Sequence, residues 1–158
     1  MDHSRFVSPF ESRYASGEMQ ALFSEDHKFR TWRRLWVALA KAEQAEGLAI
    51  TDEQIKELEA YQDTINYEVA TQREKECRHD VMSHVYAYGV QCPLARPIIH
   101  LGATSCYVGD NTDILVMREA FAVIRRKLLS VMALLSKFAR AYKGLPTLAY
   151  THLQPAQL

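Results

Sequence analysis

NTDILVMREAFAVIRRKLLSVMALLSKFARAY, residues Asn111 to Tyr142, is the stretch that decides the fold. Ile114, Met117, Phe121, Ile124, Leu128, Val131, Leu135, Phe138 and Tyr142 recur at steps of three and four without a break. That is the apolar seam of a bundle helix, roughly 45 Å long at 1.5 Å per residue. Leu115, Ala122, Leu129, Met132 and Ala139 form a second stripe beside it. A helix apolar over that width needs neighbours on more than one side. The residues before it read as shorter helices that fall short of covering it. Long partner helices are therefore expected from further sequence, from other subunits, or from both.

Immediately upstream stands Ile99-His100-Leu101-Gly102-Ala103-Thr104-Ser105-Cys106-Tyr107-Val108-Gly109. Gly102 lets the backbone turn tightly with no Cβ in the way of a ligand. Thr104 and Ser105 offer hydroxyls and backbone N–H groups in one short loop, the chemistry of an anion cradle. Asp110 or Asn111 is the expected N-cap of the long helix, with Asp113 adding negative charge to its first turn. On its own, this stretch reads equally as an ordinary polar loop and cap. Downstream, Gly144 and Pro146 stop the helix and Thr147–Tyr150 is extended. In Thr151-His152-Leu153-Gln154-Pro155-Ala156-Gln157-Leu158, Pro155 is placed for N1 of a new helix. A sequence ending so soon after a helix start reads as the N-terminal portion of a longer protein.

Toward the N-terminus, Phe6–Ser16 is expected to be irregular. It contains Arg13 beside Tyr14 among serines, a pair suited to phosphate but equally at home on a plain surface. A helix is predicted over Ser24–Glu46, with Phe29, Trp32, Trp36 and Leu39 on its apolar stripe. Arg30, Arg33 and Arg34 fall on its other faces, and Gly47 and Leu48 close it. Trp32 and Trp36 read as core packing. Thr51-Asp52-Glu53-Gln54 is a capping box for a helix burying Ile55 and Leu58. Another helix begins near Thr64 or Asn66, turns Val69 and Ala70 inward, and ends in the solvated run Arg73-Glu74-Lys75-Glu76. Arg78-His79-Asp80 then gathers a cation, an imidazole and a carboxylate at one helix start. His79 and His84 point roughly 140° apart on a helix, so they are not an i, i+4 metal pair, and His84 reads as structural.

The composition is globular: 48% of the 158 residues are hydrophobic and 24% charged. Nineteen basic side chains balance nineteen acidic ones, so no overall field draws the chain to nucleic acid or an acidic membrane. No apolar run is long enough to span a bilayer, and Met1–Arg5 lacks the apolar core of a signal peptide. Cys77, Cys92 and Cys106 form no CxxC pair and read as reduced cytosolic thiols rather than a disulfide framework or zinc site. The fold class is all-α. Residues 1–109 form an N-terminal helical domain, and 110–158 begin a central long-helix bundle.

Taken together, His100-Leu101-Gly102-Ala103-Thr104-Ser105 before a long helix and Thr151-His152-Leu153-Gln154-Pro155-Ala156-Gln157 resemble two signature regions of the fumarase/aspartase superfamily. Ser12-Arg13-Tyr14-Ala15-Ser16 and Arg78-His79-Asp80-Val81-Met82 narrow the resemblance to the adenylosuccinate lyases. It covers Ser12 to Leu158, and its strength lies in four motifs in order rather than in any one. The resemblance implies β-elimination of fumarate from adenylosuccinate and from the succinyl-aminoimidazole-carboxamide ribotide of purine synthesis. Carried over, it makes His152 the general acid/base facing the leaving nitrogen, with Thr151 and Gln154 beside it. Thr104 and Ser105 hold a succinyl carboxylate, and Arg13 and Tyr14 the nucleotide phosphate. Arg78, His79 and Asp80 contact the nucleotide, His79 supporting proton transfer. His100 matches a histidine near the site, with a structural role equally open.

The family's base is a serine in a mobile loop beyond Leu158, so this stretch alone is expected to be inactive. The resemblance further implies a cytoplasmic homotetramer whose sites draw on three subunits, with no metal or organic cofactor. Two other readings stand beside it: another fumarate-releasing lyase of the superfamily, and a helical assembly module without chemistry.

Overall fold

The computed structural model describes residues 8–156. Met1–Val7, with the stretch inspected for a leader, and Gln157 and Leu158 of the last motif lie outside the described residues. Helix accounts for 72% of the structure, which is all-α apart from one small hairpin. No helix among the described residues is long and apolar enough to cross a membrane. Contacts divide the chain into a unit up to Ala120 and a second from Phe121 onward.

The first unit opens on a single π-helical turn, Phe10–Tyr14, where irregular chain was expected. Helices α1 (Gly17–Leu22), α2 (Glu25–Ala45), α3 (Asp52–Tyr61), α4 (Tyr67–Cys77) and α5 (Asp80–Gln91) follow. Their ends are set by side-chain chemistry that the sequence announces. Ser24 caps α2 by accepting from His27 N. At its far end, Gly47 turns left-handed at φ 93°. The Leu48 and Gly47 N–H groups then donate to the Glu43 and Gln44 carbonyls, both at 3.0 Å, the two bonds of a Schellman closure. The Thr51–Gln54 capping box forms in both directions. Asn66 caps α4.

Trp32, Trp36 and Ala40 of α2 pack with Ile55 and Leu58 of α3 and with Val81 and Tyr88 of α5 to form the core. His84 belongs to it as well: its ring stacks on Phe29 with centroids 3.7 Å apart, and it is only 5% exposed. Burial, reinforced by nearby Arg33, pushes the imidazole down to about 4, so it packs as a neutral aromatic. Arg33, expected on an outer face, is instead 1% exposed. Its guanidinium donates to the Tyr61 carbonyl, to the Thr64 carbonyl at 2.7 Å and to Gln91 Oε1 at 2.7 Å. The carbonyl of Tyr61, the last residue of α3, has no helical partner, and this buried fork meets it together with the Thr64 carbonyl of the connection that follows.

The long helix α6 spans Ser105–Tyr142, so it starts six residues before the expected Asn111. Its early start follows from burial: Val108 is fully buried, and the Tyr107 hydroxyl donates to the Leu35 carbonyl at 3.0 Å. Those contacts outweigh the low helix propensity of Gly109. Asn111, expected as a cap, instead donates from Nδ2 to the Tyr107 carbonyl at 2.7 Å inside the helix. Val108, Thr112, Val116 and Ala120, spaced by four, form the buried stripe of this part of α6.

In the second unit the predicted seam is bare. Phe121, Ile124, Leu128, Val131, Leu135, Phe138 and Tyr142 are all exposed, as the pattern anticipated for a helix awaiting partners. After α6, Tyr150–Thr151 (β1) pairs antiparallel with Gln154–Pro155 (β2), Thr151 opposite Gln154. Pro155 is therefore in a strand and does not start a helix. Two left-handed residues, His152 (φ 50°) and Leu153 (φ 62°), reverse the chain before it and set this pairing.

Candidate functional site

Arg78 and His79 form the two-residue joint between α4 and α5, and Asp80 opens α5. Arg78 terminates α4 in the left-handed conformation (φ 52°), its N–H donating to Glu74 O at 2.7 Å. His79 is the N-cap of α5, and its Nδ1 accepts from Met82 N at 3.4 Å. The Asp80 carboxylate lies 3.7 Å from that same nitrogen, beyond hydrogen-bond range. Asp80 Oδ1 is instead engaged by the Val81 N–H at 2.8 Å. With Nδ1 taken as an acceptor, neutral His79 carries its proton on Nε2. All three side chains are exposed, as a substrate-facing group must be.

Beside this joint runs the loop that leads into α6. His100 adopts φ 65° and Gly102 φ 62°. Such backbone suits glycine and strains a histidine. His100 Nδ1 accepts the indole N–H of Trp36 at 3.0 Å. Burial holds the His100 pKa below the usual imidazole value, and the nearby His79 lowers it further. His79, at the start of α5, is thus within electrostatic reach of His100. Thr104 follows, exposed, and half-buried Ser105 opens α6. The first N–H groups of a long helix carry partial positive charge, a favourable setting for a carboxylate.

The remaining candidates lie elsewhere. Arg13 and Tyr14 sit on the π-helical turn, Tyr14 exposed and the Arg13 guanidinium 6.0 Å from its ring centre. Gln20 Nε2 ties this turn to α1 through the Glu11 (3.0 Å) and Ala15 (3.2 Å) carbonyls. Thr151, His152 and Gln154 form the tip of the hairpin in the second unit, all exposed. The Arg78–Asp80 joint and the His100–Ser105 loop lie in the same unit, with His79 within electrostatic reach of His100. Sequence reasoning missed Trp36 as a partner of the site. Its position on the apolar stripe of α2 signalled packing, and nothing in the periodicity marked its N–H as a donor.

No protein-family model matches the chain. Individual proteins do. The adenylosuccinate lyase of Saccharomyces cerevisiae is 48% identical over 160 residues, covering 99% of this chain and 33% of that protein. That of Schizosaccharomyces pombe gives the same identity and coverage. The adenylosuccinate lyase of Schistosoma mansoni is 44% identical over 156 residues, again covering 99% of this chain and 32% of the relative. The chain spans about a third of the length of the curated relatives it matches. Along nearly its whole length, the chain is thus similar to adenylosuccinate lyases.

Proposed function

We propose that this chain supplies part of the active site of an adenylosuccinate lyase, a C–N lyase releasing fumarate from adenylosuccinate to give AMP. The related succinyl-aminoimidazole-carboxamide ribotide is its second substrate. A base removes a proton from the carbon beside a carboxylate, and the electron pair moves to expel the neighbouring nitrogen. The proton is weakly acidic, so donors must meet the charge that develops on the carboxylate. Thr104 and Ser105, at the positive end of α6, take that role. His152, flanked by Thr151 and Gln154, protonates the departing nitrogen, a task suited to an imidazole. Arg13 and Tyr14 hold the phosphate. Arg78, His79 and Asp80 engage the nucleotide, with His100 beside them.

In this reading residues 1–109 are an N-terminal helical domain and 110–158 begin a bundle domain. Four copies of the complete cytoplasmic protein assemble around the α6 seam, and each site draws on three of them. The observation that carries the reading is the near-complete alignment with adenylosuccinate lyases. It is supported by the exposure of the motif side chains on structured turns. The decisive experiment is fumarate release by the full-length protein and its His152→Ala variant. A loss of several orders of magnitude is expected. Undiminished activity would leave the assembly-module reading in its place. Arg13→Ala should weaken nucleotide binding, and purified residues 1–158 should release no fumarate.

A further inference from the structure

We propose that Trp36 is a positioning residue of the elimination, acting through His100: its indole N–H fixes the His100 tautomer and pins the loop that carries Thr104 and Ser105. The inference rests on the lyase reading above and adds to it a residue buried beneath the site.

Trp36 is 1% exposed on α2 and its Nε1 lies 3.0 Å from His100 Nδ1, with the two rings edge to face at 84°. Packing alone does not demand this bond. Trp32, one turn earlier on the same helix and equally buried, keeps its indole nitrogen without a partner among the described residues. A core that tolerates one unpaired indole N–H had no need to bend a loop to satisfy the other. Yet the loop is bent: His100 holds a left-handed backbone, at φ 65°, that costs a non-glycine residue conformational energy. The Trp36 bond is the contact that offsets this cost. Gly102 then turns the chain a second time, and Thr104 and Ser105 follow directly into α6.

The chemical consequence is specific. An imidazole whose Nδ1 receives a hydrogen bond must, while neutral, bear its proton on Nε2. His100 is thereby a neutral donor with one defined orientation beside His79, whose Nδ1 is likewise occupied, by Met82 N. Without the indole N–H, the ring is free to exchange tautomers and to leave its left-handed backbone, and the hydroxyls after it lose their register.

The test uses the full-length protein, following fumarate release from adenylosuccinate. Trp36→Phe keeps an aromatic ring in the core and removes only the donor. It is expected to lower kcat about tenfold, the cost of one hydrogen bond to the site, with KM changed less than threefold. His100→Ala should fall comparably, and Trp36→Phe added to His100→Ala should lower kcat no further, because residues acting through one another are not additive. In protein labelled with 15N-histidine, the His100 ring should report the Nε2–H tautomer. A kcat within threefold of wild type for Trp36→Phe overturns the proposal, as does a further fall in the double variant. An Nδ1–H tautomer overturns it too, and that measurement on the unaltered protein decides if either variant fails to fold. Failure of the lyase reading is seen separately, as no fumarate release by the wild type. Loss of activity in His152→Ala with none in Trp36→Phe defeats this inference alone.

Discussion

The guanidinium of Arg33 rests against the Tyr88 ring, its central carbon 4.2 Å from the ring centre, while its nitrogens reach the carbonyls that end α3. One side chain thus joins α2 to the end of α3, to the α3–α4 connection and, through Gln91, to α5. Burial lowers its pKa, and the polar partners offset that cost. Arg33→Met should therefore fill the space yet remove the charged donor, leaving the Tyr61 carbonyl to the Thr64 N–H, the Thr64 carbonyl to Gln91 Nε2, and Gln91 Oε1 without the guanidinium. A loss of about 3 kcal/mol in urea unfolding is expected. Arg33→Lys should recover less than half of it, because an ammonium lacks the planar fork.

His84 supplies a pH dependence with a defined sign. In the folded chain its pKa is about 4, against 6.5 for a free imidazole, so only the unfolded chain takes up the proton between those values. Stability from this residue is complete above pH 6.5 and is lost as pH falls toward 4. Asp80 opposes the shift, while Arg33 and Lys28 reinforce it. Urea midpoints at pH 7 and pH 5 should differ by about 2 kcal/mol in stability from this group. His84→Phe, which preserves the stack on Phe29, should flatten that difference.

These two residues also show where sequence reading succeeds and where it stops. Helix ends were legible because caps act locally: Ser24, Thr51, Asn66 and Gly47 each bond within a few residues of themselves. His84 was legible as structural from its angular distance to His79. Arg33 was not, since its partners are 28, 31 and 58 residues away and only folding brings them to it. The start of α6 was misplaced for the same reason. Asn111 is a good cap by propensity, but burial of Val108 is a tertiary term that outweighs it. In the site, the Arg78–Asp80 joint was visible as a helix start, whereas its neighbour His100 and the donor Trp36 meet across 64 residues. Pro155 failed as a helix signal because the left-handed pair before it closes a hairpin first.

That left-handed pair makes its own prediction. A two-residue turn with both φ values positive favours glycine at its second position, and here Leu153 fills it, 93% exposed. A leucine held there costs roughly 1 kcal/mol. Leu153→Gly should relieve that strain, less the extra entropy glycine loses on folding. The Ala156 N–H, bonded to Ala149 O at 2.7 Å, should then exchange with deuterium about threefold more slowly. Unchanged or faster exchange would mean that the hairpin is held by something other than its turn.

The bare seam of α6 carries the prediction about assembly. Leu128, Leu135 and Phe138 present a continuous apolar stripe with no cover from the described residues, and each buried leucine is worth about 1.5–3 kcal/mol. A stripe of this kind is stable in water only against other helices. In the full-length protein, Leu128→Glu with Leu135→Glu should shift sedimentation from the proposed tetramer toward smaller species and abolish the proposed fumarate release. Arg13→Ala, by contrast, should lower nucleotide affinity with the sedimenting mass unchanged. The contrast is informative because the proposed multi-subunit site would fail in both ways, through its contacts or through its assembly. If the double glutamate variant keeps both its mass and its activity, this face of α6 is not where the copies meet.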